Sequence, residues 1–352
     1  LACSEESRRF SLETGDAYLA ATDLGNIALA RILLGDYEGA QEPLDEALDF
    51  MSEIGDYDIR GGLLIFQAIN DRCLGRLDEA REAGLRALEI CRQAADANFE
   101  IEASGKLGLV AMAQGELEEA RSWFEQAATL AESSEQALDC AENRSHLAFV
   151  QARLGNWDEA LGLSEDAVAV MEAAHEVSDR LKTTYWERAQ ILRLAGDPGA
   201  ASHFLGRAYA TLMAVAGRVS DPDLRRSFLE NVAENRSIVA ARRRGRVPLP
   251  PRRLSVRLPR VDAPTGRPLE DDEQVEVTWT LAAPEDDEIA GKVDRRRHRI
   301  LRLLGEAAEQ SAAPTLDDLA EALDVSVSTV KRDLAALRQA GHDVSTRGSR
   351  EP

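Results

Sequence analysis

The sequence reads Leu34-Gly35-Asp36-Tyr37-Glu38-Gly39-Ala40 at one point and Leu74-Gly75-Arg76-Leu77-Asp78-Glu79-Ala80 further on, with the two glycines 40 residues apart. The same pattern returns in Gln114-Gly115-Glu116-Leu117-Glu118-Glu119-Ala120 and Leu154-Gly155-Asn156-Trp157-Asp158-Glu159-Ala160. A fifth copy, Ala195-Gly196-Asp197-Pro198-Gly199-Ala200, follows after 41 residues. Self-similarity at a fixed period is the signature of a repeat architecture, so we expect one structural unit per copy.

Each position of the motif has a physical role. The glycine permits the left-handed backbone that ends one helix, the polar residue after it is placed to cap the next helix, and acids in the first turn meet the helix dipole favourably. Small residues stand seven positions before each glycine, where two helices must cross closely: Ala28, Ala68, Gly108, Ala148 and Ala189. In the helix after the glycine, alanines recur at Ala47, Ala87, Ala127 and Ala167. The pattern predicts antiparallel pairs of tightly packed helices.

These stretches resemble the tetratricopeptide repeat (TPR) family, whose glycine, aromatic and alanine turn positions they match over about 200 residues. The period of 40 residues exceeds the family's typical length of about 34, and the proline that usually closes a unit is missing. Long repeats of this kind resemble the sensor arrays of STAND-type signalling ATPases. The resemblance implies an all-α superhelix that binds a partner on its concave side.

The pattern divides the chain into segments. We predict the end of an upstream repeat at residues 1–21, five units at 22–216 and a capping helix at 217–241 that starts at Asp221-Pro222. Since the chain begins at Leu1 within a helical unit, we expect it to be a fragment of a longer protein. Any ATPase domain would lie upstream, because no phosphate-binding loop occurs in this sequence.

Residues 242–291 form a linker of different composition. The net charge of the chain is −21, yet residues 236–260 carry nine arginines and no acid. Two stretches alternate as strands do, Leu254–Leu258 and Val275–Leu281, and either pair as a β-ribbon or belong to a disordered connection.

Residues 292–352 read as a helix-turn-helix domain. We predict helices at about 294–310, from Thr315, and from Val327 to Gly341, with a wing strand at 342–347. The run from Val325 to Leu337 resembles the recognition helix of DeoR-type winged-helix regulators. By that resemblance Ser328, Thr329, Lys331 and Arg332 would enter the major groove of double-stranded DNA, and Arg347 would contact phosphate. The alternative is a protein-docking domain, since this segment holds 11 basic and ten acidic residues.

The run Arg295-Arg296-Arg297-His298-Arg299 has two interpretations. It is either a helix start that contacts the DNA backbone or a solvated face beside Asp286-Asp287-Glu288.

No arrangement typical of catalysis is present in the sequence. The five histidines and four cysteines are dispersed, without metal-ligand spacing. Acid pairs lie in helix-starting turns, where they serve capping. We therefore expect a non-enzymatic protein without cofactor or metal, with reduced thiols, no membrane span and a cytoplasmic location.

Carrying the TPR groove positions over by register places several polar and aromatic residues on the concave side: Arg72, Glu102, Phe149, Arg153, Trp186, Gln190 and Arg193. The Lys and Asn clamp of chaperone-binding TPRs is absent from these positions. The groove thus suits a peptide or protein with apolar and acidic features. The alternative is that its arginines only form ion pairs with local acids. Our hypothesis is a ligand-sensing module of a transcription or signalling regulator with the winged helix as output. A passive scaffold is the alternative.

Overall fold

The computed structural model describes residues 16–54, 58–248, 251–264, 267–283, 285–286 and 289–347. The chain divides into two compact units, Leu1–Val247 and Pro248–Pro352. The first unit contains five helix pairs in sequence order: α1 (Ala17–Leu33) with α2 (Tyr37–Ile54), α3 (Asp58–Cys73) with α4 (Leu77–Ala94), α5 (Ala97–Gln114) with α6 (Leu117–Ser133), α7 (Ala137–Leu154) with α8 (Trp157–Ala173), and α9 (Asp179–Leu194) with α10 (Pro198–Ala216).

The turn within each pair forms as the sequence predicts. All five motif glycines have positive φ, between 79° and 90°, in the left-handed region that other residues adopt at a cost. The capping prediction holds only in part. Asp36 and Asp197 accept hydrogen bonds from the first turn of the next helix, whereas the side chains of Arg76, Glu116 and Asn156 make no such bond.

Small residues set the distance between helices. A Cβ placed on Gly108 would lie 2.6 Å from the Phe124 ring, so the close crossing predicted there leaves no room for a side chain. The alanines seven residues before the other motif glycines are at most 2% exposed. In the fifth copy the buried alanine of the second helix is Ala201, one residue later than the quoted stretch.

Pro43 lies inside α2 and has no N–H to donate to the Gly39 carbonyl one turn earlier. Arg31 Nη1 donates to that carbonyl instead, at 3.0 Å. A cation from the first helix thus satisfies the acceptor that proline leaves open.

Both ends of the array differ from the prediction. Residues 17–21, assigned to an upstream repeat, belong to α1, and residues 1–15 lie outside the described part. The capping segment is two helices, α11 (Pro222–Glu230) and α12 (Ala233–Arg244), which together we call the closing hairpin. The predicted single helix is broken because Val232 takes an extended conformation. Pro222 occupies the first helical turn after Asp221, as expected.

One buried polar group interrupts the core of the second pair. Asn70 is 1% exposed, and neither atom of its amide has a hydrogen-bond partner among the described residues. The equivalent positions one, two and three repeats later hold Val110, Val150 and Ile191, all buried. A buried polar group without a partner costs about 1–3 kcal/mol, so Asn70 weakens the array.

We therefore expect Asn70→Val to raise the free energy of unfolding by about 1–2 kcal/mol, measured by urea denaturation. The matched control is Asn143→Val. Asn143 is also buried, but its amide donates to the Asp139 carbonyl at 2.9 Å, so this substitution removes a satisfied group and brings no gain. Equal effects of the two substitutions would contradict the assignment.

The second unit joins a two-stranded antiparallel sheet to three helices. Strand β1 (Arg252–Pro259) pairs with β2 (Gln274–Ala282), with Leu254 opposite Trp279. The β-ribbon interpretation of the linker is thus confirmed. Helices α13 (Lys292–Glu309), α14 (Leu316–Ala322) and α15 (Val327–Gln339) follow, and Thr315 and Asp318 form a capping box at the start of α14.

Helix α13 covers the sheet. The buried Trp279 ring donates from Nε1 to the Leu303 carbonyl at 2.9 Å. Glu306 and Gln310 accept hydrogen bonds from the N–H groups of Thr280 and Thr278, which are donors on the outer edge of β2. Side chains of one helix therefore occupy an edge that would otherwise be open to another strand.

The predicted wing strand at 342–347 is wrong. Residues 342–346 have no regular secondary structure, and the two strands lie before the helices in the sequence. Gly341 ends α15 with φ of 89°, as predicted. In its described residues the second unit therefore contains a small sheet and three helices, without the predicted wing strand.

Candidate ligand-binding cavity

The first helices of the repeats surround a cavity of about 1000 Å³. Its wall contains one residue from the same register of four successive units, six positions before the motif glycine: Ile69, Leu109, Phe149 and Gln190. Ile69, Leu109 and Phe149, together with Met112 and Trp186, form what we call the apolar belt. The repeat period therefore builds the cavity, because each unit places its equivalent side chain on the same wall.

The closing hairpin borders the cavity on its remaining side. Asn231 Nδ2 donates to the Gly35 carbonyl at 3.3 Å, which joins the hairpin to the first repeat turn across 196 residues of sequence. We call this junction the seam. A Cβ on Gly35 would lie 2.8 Å from the Cβ of Asn231, so the two backbones approach as closely as glycine allows.

Lys182 anchors the closing hairpin to α9. Its ammonium lies 2.9 Å from Glu234 and 2.8 Å from both Asp179 and the Asn235 side chain. Burial alone would lower the pKa of Lys182, but Glu234 and Asp179 raise it above its usual value. Lys182 thus stays charged, since these carboxylates replace the water lost on burial.

A second charged cluster lies in the wall between α7 and α9. His146 Nδ1 lies 2.7 Å from Glu187 Oε1, and Ser145 donates to the other oxygen of that carboxylate at 2.5 Å. Burial alone would lower the pKa of His146, but Glu187 and Glu142 raise it, against an opposing effect of Lys106. Because Ser145 bonds to Glu187 and not to the imidazole, the cluster lacks the geometry of a serine nucleophile with its base.

Proton binding to His146 is coupled to folding. A folded-state pKa above the unfolded value of 6.5 means that this contribution to stability is fully present below that value and lost as pH rises through the folded pKa. We expect the stability difference between the native chain and His146→Gln to shrink as pH rises from mildly acidic to alkaline. Urea denaturation at several pH values measures it. His203→Gln, at an exposed histidine, is the control and should leave the pH profile unchanged.

Four of the seven sequence-predicted groove residues line the cavity: Arg72, Phe149, Trp186 and Gln190. Glu102 lines a smaller neighbouring cavity of about 200 Å³, together with Glu142 and Arg180. Arg153 and Arg193 do not line these cavities and lie at the turn end of their helices. The sequence analysis missed further lining residues: Tyr37, Lys106, His146, Lys182, Glu187, Glu234 and Arg236. Lys106, His146 and Glu187 lie three residues before Leu109, Phe149 and Gln190 in the same helices. The repeat register could therefore have identified them.

The helix-turn-helix residues are partly available for binding. Ser328, Lys331 and Arg332 are exposed in the first turns of α15, and Thr329 is half-buried beside the Ser326 hydroxyl. Arg347 instead donates to the carbonyls of Ala263 and Pro264. The phosphate contact by Arg347 stays a prediction, and in the structure its guanidinium holds the loop at residues 263–264.

The arginines at the start of α13 are half-buried. Arg296 and Arg297 contact the buried Asp333 carboxylate. Arg299 contacts Asp286 together with Arg302. Burial alone would raise the pKa of Asp286, but Arg302, the Ala283 N–H and Arg299 lower it to about 2. The run is therefore not the solvated face of the second interpretation, although Asp286 is one of its partners, and the DNA contact stays a prediction.

Two protein-family models match parts of the sequence. Residues 62–133 and 138–214 match the tetratricopeptide repeat model. The matched residues cover the second to the fifth helix pair, and the array is a TPR-like superhelix. Residues 224–351, from the closing hairpin to the end of α15 and beyond, match a family described as a protein of unknown function, DUF1670. No curated protein matches the sequence.

Solved structures resemble the TPR array in fold. Aspartyl phosphate phosphatase F from Bacillus subtilis shares 14% identity, with 69% of this chain and 63% of that chain covered, at a TM-score of 0.53. A Rap protein complexed with Competence and Sporulation Factor shares 16% identity, with 68% and 74% covered, at 0.49.

A STAND protein with a tetratricopeptide repeat sensor from Pyrococcus horikoshii shares 16% identity, with 64% of this chain and 34% of that chain covered, at 0.46. At these identities the likeness concerns the fold alone. An upstream ATPase, a DeoR-like identity and DNA binding therefore stay predictions.

The described residues contain neither a metal-binding cluster nor a membrane-spanning helix. In that part of the chain, no group of three His, Cys, Asp or Glu side chains is placed to hold a metal ion. No helix of the described segments is long and apolar enough to cross a bilayer. Cys73, Cys91 and Cys140 are free thiols.

Proposed function

We propose that the TPR array is a sensor that binds a short peptide, or an extended segment of a protein, in its central cavity. The observation that carries the proposal is the apolar belt built from successive repeats, set beside charged groups and bordered by the closing hairpin. Ligand cavities of proteins measure about 300–1,000 Å³. A cavity of about 1000 Å³ thus suits a small or extended ligand better than a folded domain.

The chemistry of the wall favours a peptide within that class. Leu109, Met112 and Phe149 offer apolar contact to side chains. Gln190, next to them on the wall, carries an amide that both donates and accepts, which is the pairing that a peptide bond requires. A peptide can satisfy both, because its backbone is polar and its side chains are free to be apolar.

The test is selection from a library of random-sequence peptides short enough to enter the cavity, followed by affinity measurement on the full chain by fluorescence anisotropy. Leu109→Arg places a charge on the apolar belt and should weaken the selected peptides by at least about tenfold. Met213→Arg, at an exposed residue of α10, is the matched control and should have no effect. Failure to select any peptide, or equal binding by both variants, would sink the proposal.

We further propose that the second unit reports the state of the array, as in a regulator with an output domain. A selected peptide should then change amide hydrogen exchange in residues 292–339. A passive scaffold, the alternative, would bind the same peptide while exchange in this region stays unchanged.

A second candidate function, DNA binding by the second unit, is favoured by one observation. Ser328, Lys331 and Arg332 are exposed at the start of the second helix of a helix-turn-helix, which is the part that meets the major groove in such domains. Binding of a mixed-sequence duplex should weaken steeply with salt and be lost in Lys331→Ala plus Arg332→Ala. Lys292→Ala, at an exposed lysine, is the control. Absence of salt-dependent binding by the full chain would reject this function.

A further inference from the structure

Two arginines from opposite sides of the seam line the cavity. Arg72 lies in the last turn of α3, Arg236 lies in α12, and Tyr37 begins α2. All three side chains line the cavity. Residues far apart in the sequence therefore converge on one end of the cavity because the closing hairpin meets the first repeat there.

The seam holds Arg236 in position. Its Nη1 donates to the Glu230 carbonyl at 2.9 Å and to the Asn231 carbonyl at 3.4 Å, and Asn231 itself binds Gly35. The cation is thus tied to the residues that make the junction. Any group that binds Arg236 also acts on the seam.

The acids of this end of the cavity do not neutralise the two cations directly. Asp36 pairs with Arg31 at 3.1 Å, and Glu234 pairs with Lys182 at 2.9 Å. Glu38 lies nearby with its side chain exposed. Among the described residues, Arg72 and Arg236 form no ion pair within 4.0 Å. Two like charges on the wall of one cavity create a place that an oxyanion would stabilise.

We infer that Arg72, Arg236 and the Tyr37 hydroxyl form an anion subsite that takes a carboxylate of the bound peptide, and that its occupation holds the seam closed. This inference rests on the proposed function and deepens it. The carboxylate bridges the two guanidinium groups beside the Tyr37 hydroxyl. Because one guanidinium belongs to α3 and the other to the closing hairpin, the ligand joins the two sides of the seam. The same carboxylate chemistry is available from an acidic side chain or from the chain terminus.

The experiment uses the peptide selection described above, on the full chain, with one library carrying free C-termini and one carrying amidated C-termini. Peptides selected on the native chain should be enriched in Asp or Glu, or confined to the library with free termini; the first result assigns an acidic side chain and the second the terminus. Arg72→Gln and Arg236→Gln should each weaken those peptides about tenfold or more. Arg153→Gln and Arg193→Gln, at arginines away from the cavity, are the matched controls and should bind as the native chain does.

Closure gives a second readout. The acidic peptide should slow hydrogen exchange of the Asn231 and Val232 amides in the native chain but not in Arg236→Gln. Peptides that bind the cavity without acid enrichment, or that bind Arg72→Gln and Arg236→Gln unchanged, would overturn the subsite while leaving the proposed function intact. If no peptide binds at all, the proposed function fails first. Unchanged exchange at the seam with normal loss of affinity would overturn the closure part.

Discussion

Lys182→Met should destabilise the first unit by about 3–5 kcal/mol, the loss expected when one partner of a buried ionic network is removed. The methionine keeps the packing of the aliphatic stem, so the loss comes from the charge. Glu234 and Asn235 would lose their shared cation, and Asn235 is fully buried. Because these two residues belong to α12, the closing hairpin should loosen first.

Urea denaturation measures the loss, and hydrogen exchange of residues 222–244 locates it. Lys106→Met is the matched control, since Lys106 lines the same cavity without a direct ion pair among the described residues. It should change stability by less than about 1 kcal/mol. A loss from Lys182→Met as small as that of the control would show that the ionic network does not anchor the hairpin.

Asp333→Ala should destabilise the second unit by a comparable amount. The Asp333 carboxylate is 1% exposed and lies 2.5 Å from Arg296 Nε and 3.2 Å from Arg297 Nε. Its removal leaves Arg296, which is partly buried, without its carboxylate partner, and leaves Arg297 with Asp294 alone, at 3.7 Å. We expect a loss of about 3 kcal/mol and weaker attachment of α15 to α13.

Thermal unfolding of the full chain, followed by hydrogen exchange in residues 292–339, measures this effect. Asp343→Ala removes an exposed carboxylate after α15 and should leave stability within about 0.5 kcal/mol. If Asp333→Ala behaves like Asp343→Ala, the arginine run of α13 is free for other partners. That outcome would return it to the DNA-contact interpretation.

The repeat array could be predicted from the sequence because its causes are local and recur. A glycine with positive φ ends each first helix, and small residues such as Gly108 and Ala148 allow each close crossing. These requirements act within one unit, so five copies in phase reveal them. The β-ribbon followed in the same way from period-two alternation in Val275–Leu281.

The errors lie where tertiary contacts decide the outcome. The break between α11 and α12 occurs at Asn231-Val232, without glycine or proline, where Asn231 reaches Gly35. The predicted wing was carried over from a resemblance, and Arg347 contacts a loop that no local pattern connects to it. Arg296 and Arg297 looked free because Asp333 lies more than thirty residues away in the sequence.

Only part of the candidate site could be predicted from the sequence, because tertiary contacts also place residues in the cavity wall. Register alone placed Arg72, Phe149, Trp186 and Gln190 on the cavity wall, because the repeat period fixes where the first helices face. Arg236 could not be predicted from the register, since it lines the cavity only because the closing hairpin meets the first repeat. Arg153 and Arg193 were misplaced because the groove positions nearest the turn do not reach this cavity.

The most direct test of the ligand-binding account is a hydrogen-exchange map of the full chain with and without a selected peptide. The account predicts slower exchange in the first helices α3, α5, α7 and α9 and in α12, with little change in the second helices α4, α6 and α8. Protection confined to those second helices, or to the second unit, would contradict the claim that the central cavity binds the ligand.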